Sequence, residues 1–280
     1  MSLCYLNGEF LPLASAKVSV LDRGFMFGDG VYEVIPVFAG RPFRLDGHLA
    51  RLARSLAATG IPSPLSPAAW TSLIERLVAA EPAPAQTVYV QITRGVAPRH
   101  HLPPPGLVPT VFVMSTPLTP APPEATVSIV LREDFRWTRC DIKSISLLGN
   151  VLLRQDAAAA GADEAVLVRE GLITEGASSN VFMVRAGRIR TPPLSNHLLP
   201  GVTRDLIVEL MANTADAVLE ADITREDLLA ADEIWLASSG RELAPVSHVD
   251  GQAVGHACPG PVYRRVVERY AAFKSSGRLE

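Results

Sequence analysis

The stretch RWTRCDIKSISLLGN, residues 136–150, holds one lysine, Lys143, in a run that otherwise accumulates apolar side chains. Lysine is scarce here: of 26 Lys and Arg residues only Lys17, Lys143 and Lys274 are lysine. The two residue types differ in one respect that matters. A lysine can lose its proton and attack a carbonyl, whereas an arginine stays charged in any protein environment. At an ordinary pKa of about 10.4, roughly one lysine in 2,500 is neutral at pH 7, so a working amine needs burial or nearby positive charge. Ile142, Ile145, Leu147 and Leu148 offer that burial. A lysine snorkelling from a strand edge, or one paired with Asp141, is the competing explanation.

The rest of the chain bounds the chemistry. At 280 residues, 48% hydrophobic and 20% charged, it has the composition of a globular protein with one large domain or two ordinary ones. A net charge of −3 provides no cationic field for a phosphate backbone, so no nucleic-acid partner is expected. No apolar run reaches the roughly 18 residues of a membrane helix, and MSLCYLNGEF lacks the features of a signal peptide, so neither membrane nor export is expected. Cys4, Cys140 and Cys258 are odd in number and far apart, which predicts neither a disulfide framework nor a metal site. A soluble cytoplasmic protein is the expectation.

Periodicity predicts an order of elements. YLNGEFLPL reads as a hairpin around Asn7-Gly8, and GVYEVIPVFAGRPFRL as two strands around Ala39-Gly40. Asp46 is expected to cap a helix that Gly60 ends. Ser66 and Pro67 open a second helix with Trp70, Leu73, Ile74, Leu77 and Val78 on one face. Strands TVYVQITRG and PTVFVMST follow. TPLTPAPPEA, residues 116–125, holds four prolines without periodicity and predicts a linker. This divides the chain into a small domain over 1–117, a Pro-rich linker over 118–124 and a larger cofactor-binding domain over 125–280. Strands are expected at 126–131 and 142–146, then a helix at NVLLRQDAAAAG, strands at EAVLVREGLITEG and NVFMVRAGRIRTP, helices at GVTRD and after Thr224, two strands in EIWLASSGRELAPV, and a terminal helix. The class is α/β or α+β, two domains with a crevice between them, where pockets tend to form.

Several stretches would suit pyridoxal phosphate (PLP), which needs an amine for its aldehyde, an anion for its ring nitrogen and donors for its phosphate. Glu175 stands in GLITEGASSN where a strand pattern breaks into small residues. Val202 and Thr203 open a helix whose amides and dipole favour phosphate. Ser238, Ser239 and Gly240 form a tight turn of the kind that cradles an anion, and Arg51 offers a guanidinium. Each alone is also what an ordinary helix start, turn or surface arginine looks like. Other classes fit less well. GFMFGDG is not GxGxxG and precedes a strand pattern, LASSGR lacks the first glycine of a GxSxG elbow, and Cys140 reads as a packed thiol.

Together, DRGFMFGDGVYEV, QITRGVAPRHH, RCDIKSISLLGNVL, TEGASSNVF and GVTRD resemble, in order and spacing, the fold-type IV PLP-dependent aminotransferases, over nearly the whole chain. The pocket residues are most similar to those of the D-amino acid members. The resemblance implies two α/β domains with the cofactor in the crevice, a homodimer in which loops of one subunit finish the other's pocket, and roles for particular residues. Lys143 would bind the cofactor aldehyde and shuttle a proton. Glu175 would pair with the ring nitrogen, and Arg51, Val202, Thr203 and Ser239 would hold the phosphate. Arg136 would lie near the phenolic oxygen. Tyr32, Arg99 and His101 would bind the substrate carboxylate, the RxH of VAPRHH being the mark of D-amino acid enzymes.

The implied reaction is ping-pong exchange between a D-amino acid such as D-alanine and a 2-oxo acid such as 2-oxoglutarate. A PLP lyase like aminodeoxychorismate lyase, an L-branched-chain aminotransferase and an (R)-amine transaminase share the fold, but the RxH carboxylate trap argues against each. A protein that held PLP without turnover is the non-enzyme alternative. Ala177 and Ser239 depart from the D-amino acid pattern, which has serine and threonine there. Arg241 adds a guanidinium that would favour acidic side chains if it faced the pocket.

Overall fold

Asn7-Gly8 turns the chain back on itself, so that β1 (Leu3–Leu6) pairs antiparallel with β2 (Glu9–Pro12). The computed structural model describes residues 2–276. They form two units: the chain up to residue 120 together with Ile142–Leu147, and Ala121–Asp141 together with the chain from residue 148 on. The division falls at 120/121, within the Pro-rich linker, and assigns 142–147 to the first unit, whereas the sequence reading kept it in a 125–280 domain.

In the first unit, α1 (Arg23–Phe27) leads into β3 (Gly30–Phe38) and the two-residue β4 (Arg41–Pro42). Helices α2 (Leu45–Thr59) and α3 (Pro67–Ala80) follow, then β5 (Ala85–Thr93) and β6 (Thr110–Pro117). The sheet order is β2-β1-β6-β5-β3-β4. Alternation along the strands sends Val31, Ile35, Val88, Val90 and Ile92 inward, where they meet Leu52 and Leu56 of α2 and Trp70, Ile74 and Leu77 of α3. Each such aliphatic side chain contributes about 1.5–3 kcal/mol on full burial, and Ile142 belongs to the same core.

The helix ends show where local signals hold and where they fail. Ser66 caps α3 by accepting from the Ala69 amide, with Pro67 in the first turn. Asp46 does not cap α2. The N-cap is Arg44 in the left-handed region, and Asp46 lies in the first turn, where its charge still complements the helix dipole.

The second unit carries β7 (Val127–Glu133), α4 (Leu148–Ala159), β8 (Glu164–Arg169), β9 (Leu172–Gly176), β10 (Asn180–Arg185) and β11 (Arg188–Thr191). Next come α5 (Val202–Met211), β12 (Leu219–Glu220), α6 (Arg225–Leu229), β13 (Glu233–Ser238), β14 (Glu242–Val249), β15 (Gln252–Ala253) and α7 (Pro261–Ser275). The sheet runs β12-β11-β10-β13-β14-β7-β8-β9, with β15 on β14. Since β7 and β8 are parallel, they need a crossover, and α4 supplies it, packing Leu153 and Ala157 on Ala165 and Leu167. The other face buries Ile129, Val166, Val181, Ile234 and Leu236.

The strand expected at 142–146 is reduced to a single antiparallel bridge, Ser144 to Val31. Main-chain bonds on either side complete it: Tyr32 N donates to Lys143 O at 2.9 Å and Ile145 N to Gly30 O at 3.1 Å. The segment therefore runs beside the first half of β3, which β4 does not reach, since β4 pairs only with Val37 and Phe38.

Candidate active site

Lys143 is fixed through its backbone and laid against an aromatic ring. Its amide donates to the Ser55 hydroxyl at 3.2 Å, and its Nζ stands 4.1 Å from the centre of the Tyr32 ring. Tyr32 faces Gln91 across the sheet and packs 5.9 Å from the ring of Tyr89, whose hydroxyl donates to Gln91 Oε1 at 2.7 Å. Burial and the neighbouring Tyr32 push the Tyr89 hydroxyl up to about 12. Leu148, expected to bury the lysine, is exposed, while Ile142 is buried. Asp141 is engaged by Arg139, whose Nε donates to it at 2.9 Å.

The helical spacing of His48, Arg51 and Ser55 brings all three to the buried face of α2. Opposite them is Glu33 of β3, which has no exposed surface. Its carboxylate accepts from Arg51 Nε and Nη2, both at 2.8 Å, and from His48 Nδ1 at 2.8 Å. Burial raises the Glu33 carboxyl, but the Arg51 charge and the hydrogen bonds from Arg51 and His48 outweigh it and hold the group far below the usual range. Burial also lowers His48, with Arg51 and Lys143 adding to the effect and Glu33 opposing it. His48 is therefore neutral at pH 7 and donates from Nδ1. Arg51, which the sequence suggests as a phosphate ligand, thus spends two of its nitrogens on a buried carboxylate.

Arg99 and His101 lie on the exposed loop between β5 and β6 and gather over Phe27 of α1. The Arg99 guanidinium is 5.5 Å from the Phe27 ring centre and the His101 ring 5.6 Å from it.

In the second unit the chemistry collects at one end of the sheet. Glu175, 5% exposed near the end of β9, accepts from Arg136 Nη1 at 2.7 Å and from the Leu199 amide at 2.9 Å. Burial drives its carboxyl up to about 7, with Arg136 and the Leu199 amide pulling it back. Arg136 is itself clamped by Asp134, through Nε at 2.9 Å and Nη2 at 3.0 Å, and Asp134 also meets Arg169 at 3.2 Å. Arg136 is thus committed to two carboxylates, Asp134 and Glu175.

Leu199 links Glu175 to the start of α5. Its carbonyl accepts from Asn180 Nδ2 at 2.9 Å, and two residues later Gly201 passes so close to Asn180 Oδ1 that a Cβ there would collide with it. Gly201 is the N-cap of α5 and brings no side-chain cap, so the helix opens with backbone at Val202 and Thr203. Asn180 is also in register with Ala237, which places the Ser238-Ser239-Gly240 turn at the same end of the sheet.

Buried Glu164 ties these loops together, a role the sequence reading missed. It accepts from Ser178 N at 2.7 Å, Ser178 Oγ at 2.9 Å and Ser179 Oγ at 3.2 Å, while Arg154 and Arg241 reach its other oxygen at 3.0 and 3.2 Å. Arg241 therefore rests on Glu164. Glu164 opens a strand of apolar residues, EAVLVR, and an acidic residue there reads as a solvated strand end. The support given by Glu33, His48 and Asp134 is equally silent in sequence.

Each unit holds groups of the kinds PLP requires: the first an amine, Lys143, and the second a buried carboxyl raised to about 7, an uncapped helix start and a serine turn. Among the described residues no cluster of His, Cys, Asp and Glu suits a metal ion, and no helix is long and apolar enough to cross a membrane.

The sequence profile of Amino-transferase class IV matches residues 30–249. D-alanine aminotransferase of Bacillus licheniformis is 40% identical over 262 residues, 93% of each chain. The enzyme of that name from Staphylococcus haemolyticus is 37% identical over 279 residues, 99% of each. Among solved structures, branched-chain amino acid aminotransferase of Escherichia coli superposes with a TM-score of 0.90 at 26% identity, covering 97% of this chain and 94% of that one. The T.th. branched-chain enzyme complexed with N-(5'-phosphopyridoxyl)-L-glutamate gives 0.88 at 28% identity, covering 96% and 93%. The chain belongs to the class IV aminotransferases, the fold-type IV enzymes that depend on PLP.

Proposed function

We propose that this protein transfers amino groups between D-amino acids, such as D-alanine, and 2-oxo acids, such as 2-oxoglutarate, by a ping-pong mechanism. One observation supports the substrate reading above others: the curated relatives that match at 36–40% identity across nearly the whole chain are D-alanine aminotransferases, and the RxH of residues 99–101 accords with them. The branched-chain structures are less similar in sequence, at 26–28% identity for the E. coli and T.th. enzymes.

PLP, when bound, supplies an aldehyde for the amino group and a ring that accepts electrons from the substrate's alpha carbon. Lys143 would hold the cofactor at its aldehyde, and its Nζ would move the proton at the substrate's alpha carbon. Glu175 keeps a proton on the ring nitrogen. A carboxyl near 7 suits this because it can share that proton without a large mismatch. Val202, Thr203 and Ser239 donate to the phosphate, and Arg51, oriented by Glu33, adds positive charge. Tyr32, Arg99 and His101 recognise the substrate carboxylate and so orient its alpha hydrogen.

The working form in this reading is a cytoplasmic homodimer, in which the loop carrying Arg99 and His101 finishes the partner's pocket. Phe25, Leu102 and Val108 are 73%, 74% and 81% exposed on α1 and that loop, an apolar surface suited to a second copy of the chain. Three free cysteines accord with a reducing compartment.

The test is a single-turnover spectral titration of the PLP-loaded protein with D-alanine, L-alanine, L-leucine and (R)-1-phenylethylamine in separate runs. Bleaching of the bound-cofactor band by D-alanine, with pyruvate released, is the expected result. Bleaching by L-leucine or the amine instead would keep the family and overturn the substrate.

A further inference from the structure

The motif DRGFMFGDG, residues 22–30, contains an arginine, Arg23, to which no role has been assigned so far and which is aimed at the RxH loop. Arg23 is 4% exposed. Its Nη1 donates to the His100 carbonyl at 2.6 Å and its Nη2 to the His101 carbonyl at 3.0 Å, while its Nε donates to Asp29 Oδ2 at 2.7 Å. Its guanidinium also stands 4.8 Å from the Phe27 ring centre, the same ring on which Arg99 and His101 rest.

The loop needs such support. Between β5 and β6 it contains Pro98, Pro103, Pro104, Pro105 and Pro109, which cannot donate main-chain bonds, and most of its residues are exposed. Its two ends are pinched at Gly95, at φ +105°, where a Cβ would strike the Val108 carbonyl. Between those ends the Arg23 fork grips two successive carbonyls, at the point where Arg99 and His101 project.

The fork is anchored in turn. Asp29 Oδ2 also accepts from Arg94 Nε at 2.8 Å, and Arg94 donates from Nη1 to the Gly60 carbonyl at 3.1 Å and from Nη2 to the Thr59 carbonyl at 2.7 Å. Burial raises the Asp29 carboxyl, but Arg94 and Arg23 outweigh it and keep it ionised. Asp22 fixes the start of α1 by accepting from the Gly24 amide at 2.7 Å, Thr93 Oγ1 at 3.0 Å and Thr110 Oγ1 at 2.7 Å. A continuous polar chain thus runs from the end of α2 through Arg94, Asp29 and Arg23 to the loop.

We infer that Arg23 is the positioning residue for substrate carboxylate recognition, holding Arg99 and His101 at their working height through the His100 and His101 carbonyls, with Asp29 as its anchor. The inference rests on the reading of Arg99 and His101 given under the proposed function.

The test compares the PLP-loaded wild type with Arg23→Met, Arg23→Lys and, as a reference, Arg99→Ala. Arg23→Met leaves Asp29 paired with Arg94, so no buried carboxylate is stranded. Two measurements are made: hydrogen exchange of the amides in 94–109, and KM against kcat for D-alanine. Arg23→Met should speed exchange in the loop and raise KM for D-alanine about tenfold, with little change in kcat; Arg23→Lys, lacking the fork, should fall between. Unchanged exchange would overturn the clamp. Faster exchange with an unchanged D-alanine KM would overturn the positioning role if Arg99→Ala still raises that KM. If Arg99→Ala also leaves it unchanged, the carboxylate reading itself fails.

Discussion

Replacing Glu175 by glutamine should remove a defined part of the pH dependence of stability in the cofactor-free protein. Burial lifts this carboxyl from an ordinary 4.5 to about 7, against the pull of Arg136 and the Leu199 amide. A raised folded-state value means that the folded protein holds the proton more tightly than the unfolded chain. The resulting stabilisation is fully present below 4.5 and is lost as pH rises through about 7. Linkage across that interval leaves the group's contribution ~2.5 kcal/mol smaller at pH 8 than at pH 5. His48 acts in the opposite sense, since burial lowers it and its contribution is lost as pH falls. Both proteins retain His48, so the difference between wild type and Glu175→Gln isolates the carboxyl. The assay is urea unfolding of cofactor-free protein at the two pH values, followed by the fluorescence of Trp137 and Trp235 in the second unit. The wild-type advantage over the variant should shrink by ~2.5 kcal/mol from pH 5 to pH 8, and saturation with PLP should flatten the change. A difference constant to within about 0.5 kcal/mol would refute the desolvation argument and the proton-holding role built on it.

Substitutions at Lys143, Arg51 and Gly201 test separate groups. Lys143→Ala and Lys143→Arg should both lose the visible band of lysine-bound cofactor and lose transamination; wild-type turnover in either would end the argument from lysine scarcity. Arg51→Met takes two hydrogen bonds from a carboxylate with no exposed surface and should cost about 3–5 kcal/mol in unfolding of the first unit, most of it recovered in the double variant with Glu33→Gln; a loss confined to PLP affinity would make Arg51 a phosphate ligand alone. Gly201→Ala drives a methyl into Asn180 and should weaken PLP binding, read as a raised dissociation constant, with the Glu175 pH effect retained. An unchanged constant would detach the start of α5 from the phosphate.

Local rules carried most of the fold. The Asn7-Gly8 hairpin, the Ser66-Pro67 start of α3 and the Thr224 cap of α6 are each decided by two or three residues, and the structure follows them. Non-local decisions were hidden. Arg44 adopts a left-handed conformation that nothing in its residue type announces, and it displaces Asp46 from the cap. Segment 142–146 has the apolar pattern of a strand but meets β3 at one bridge only, because pairing depends on where an edge is vacant. Among the candidate residues, Lys143 and Glu175 stood out in the sequence as a scarce lysine in an apolar run and a glutamate where a strand pattern breaks. Their supporting residues did not, since Glu33 and Arg51 are 18 positions apart and Arg136 and Glu175 are 39 apart. Such buried pairs are made by tertiary packing, and either member alone looks like surface charge.

The segment bearing Lys143 has a topological consequence. It lies on the crossover between β7 and α4, so the polypeptide passes between the two units at 120/121, 141/142 and again at 147/148. Cutting the Pro-rich stretch severs only the first of these passages. The first 120 residues made alone would lack Ile142 from their core and would leave the first half of β3 without its neighbour. A chain nicked in that stretch should therefore remain one molecule, stitched by six residues that belong in sequence to one half and in packing to the other.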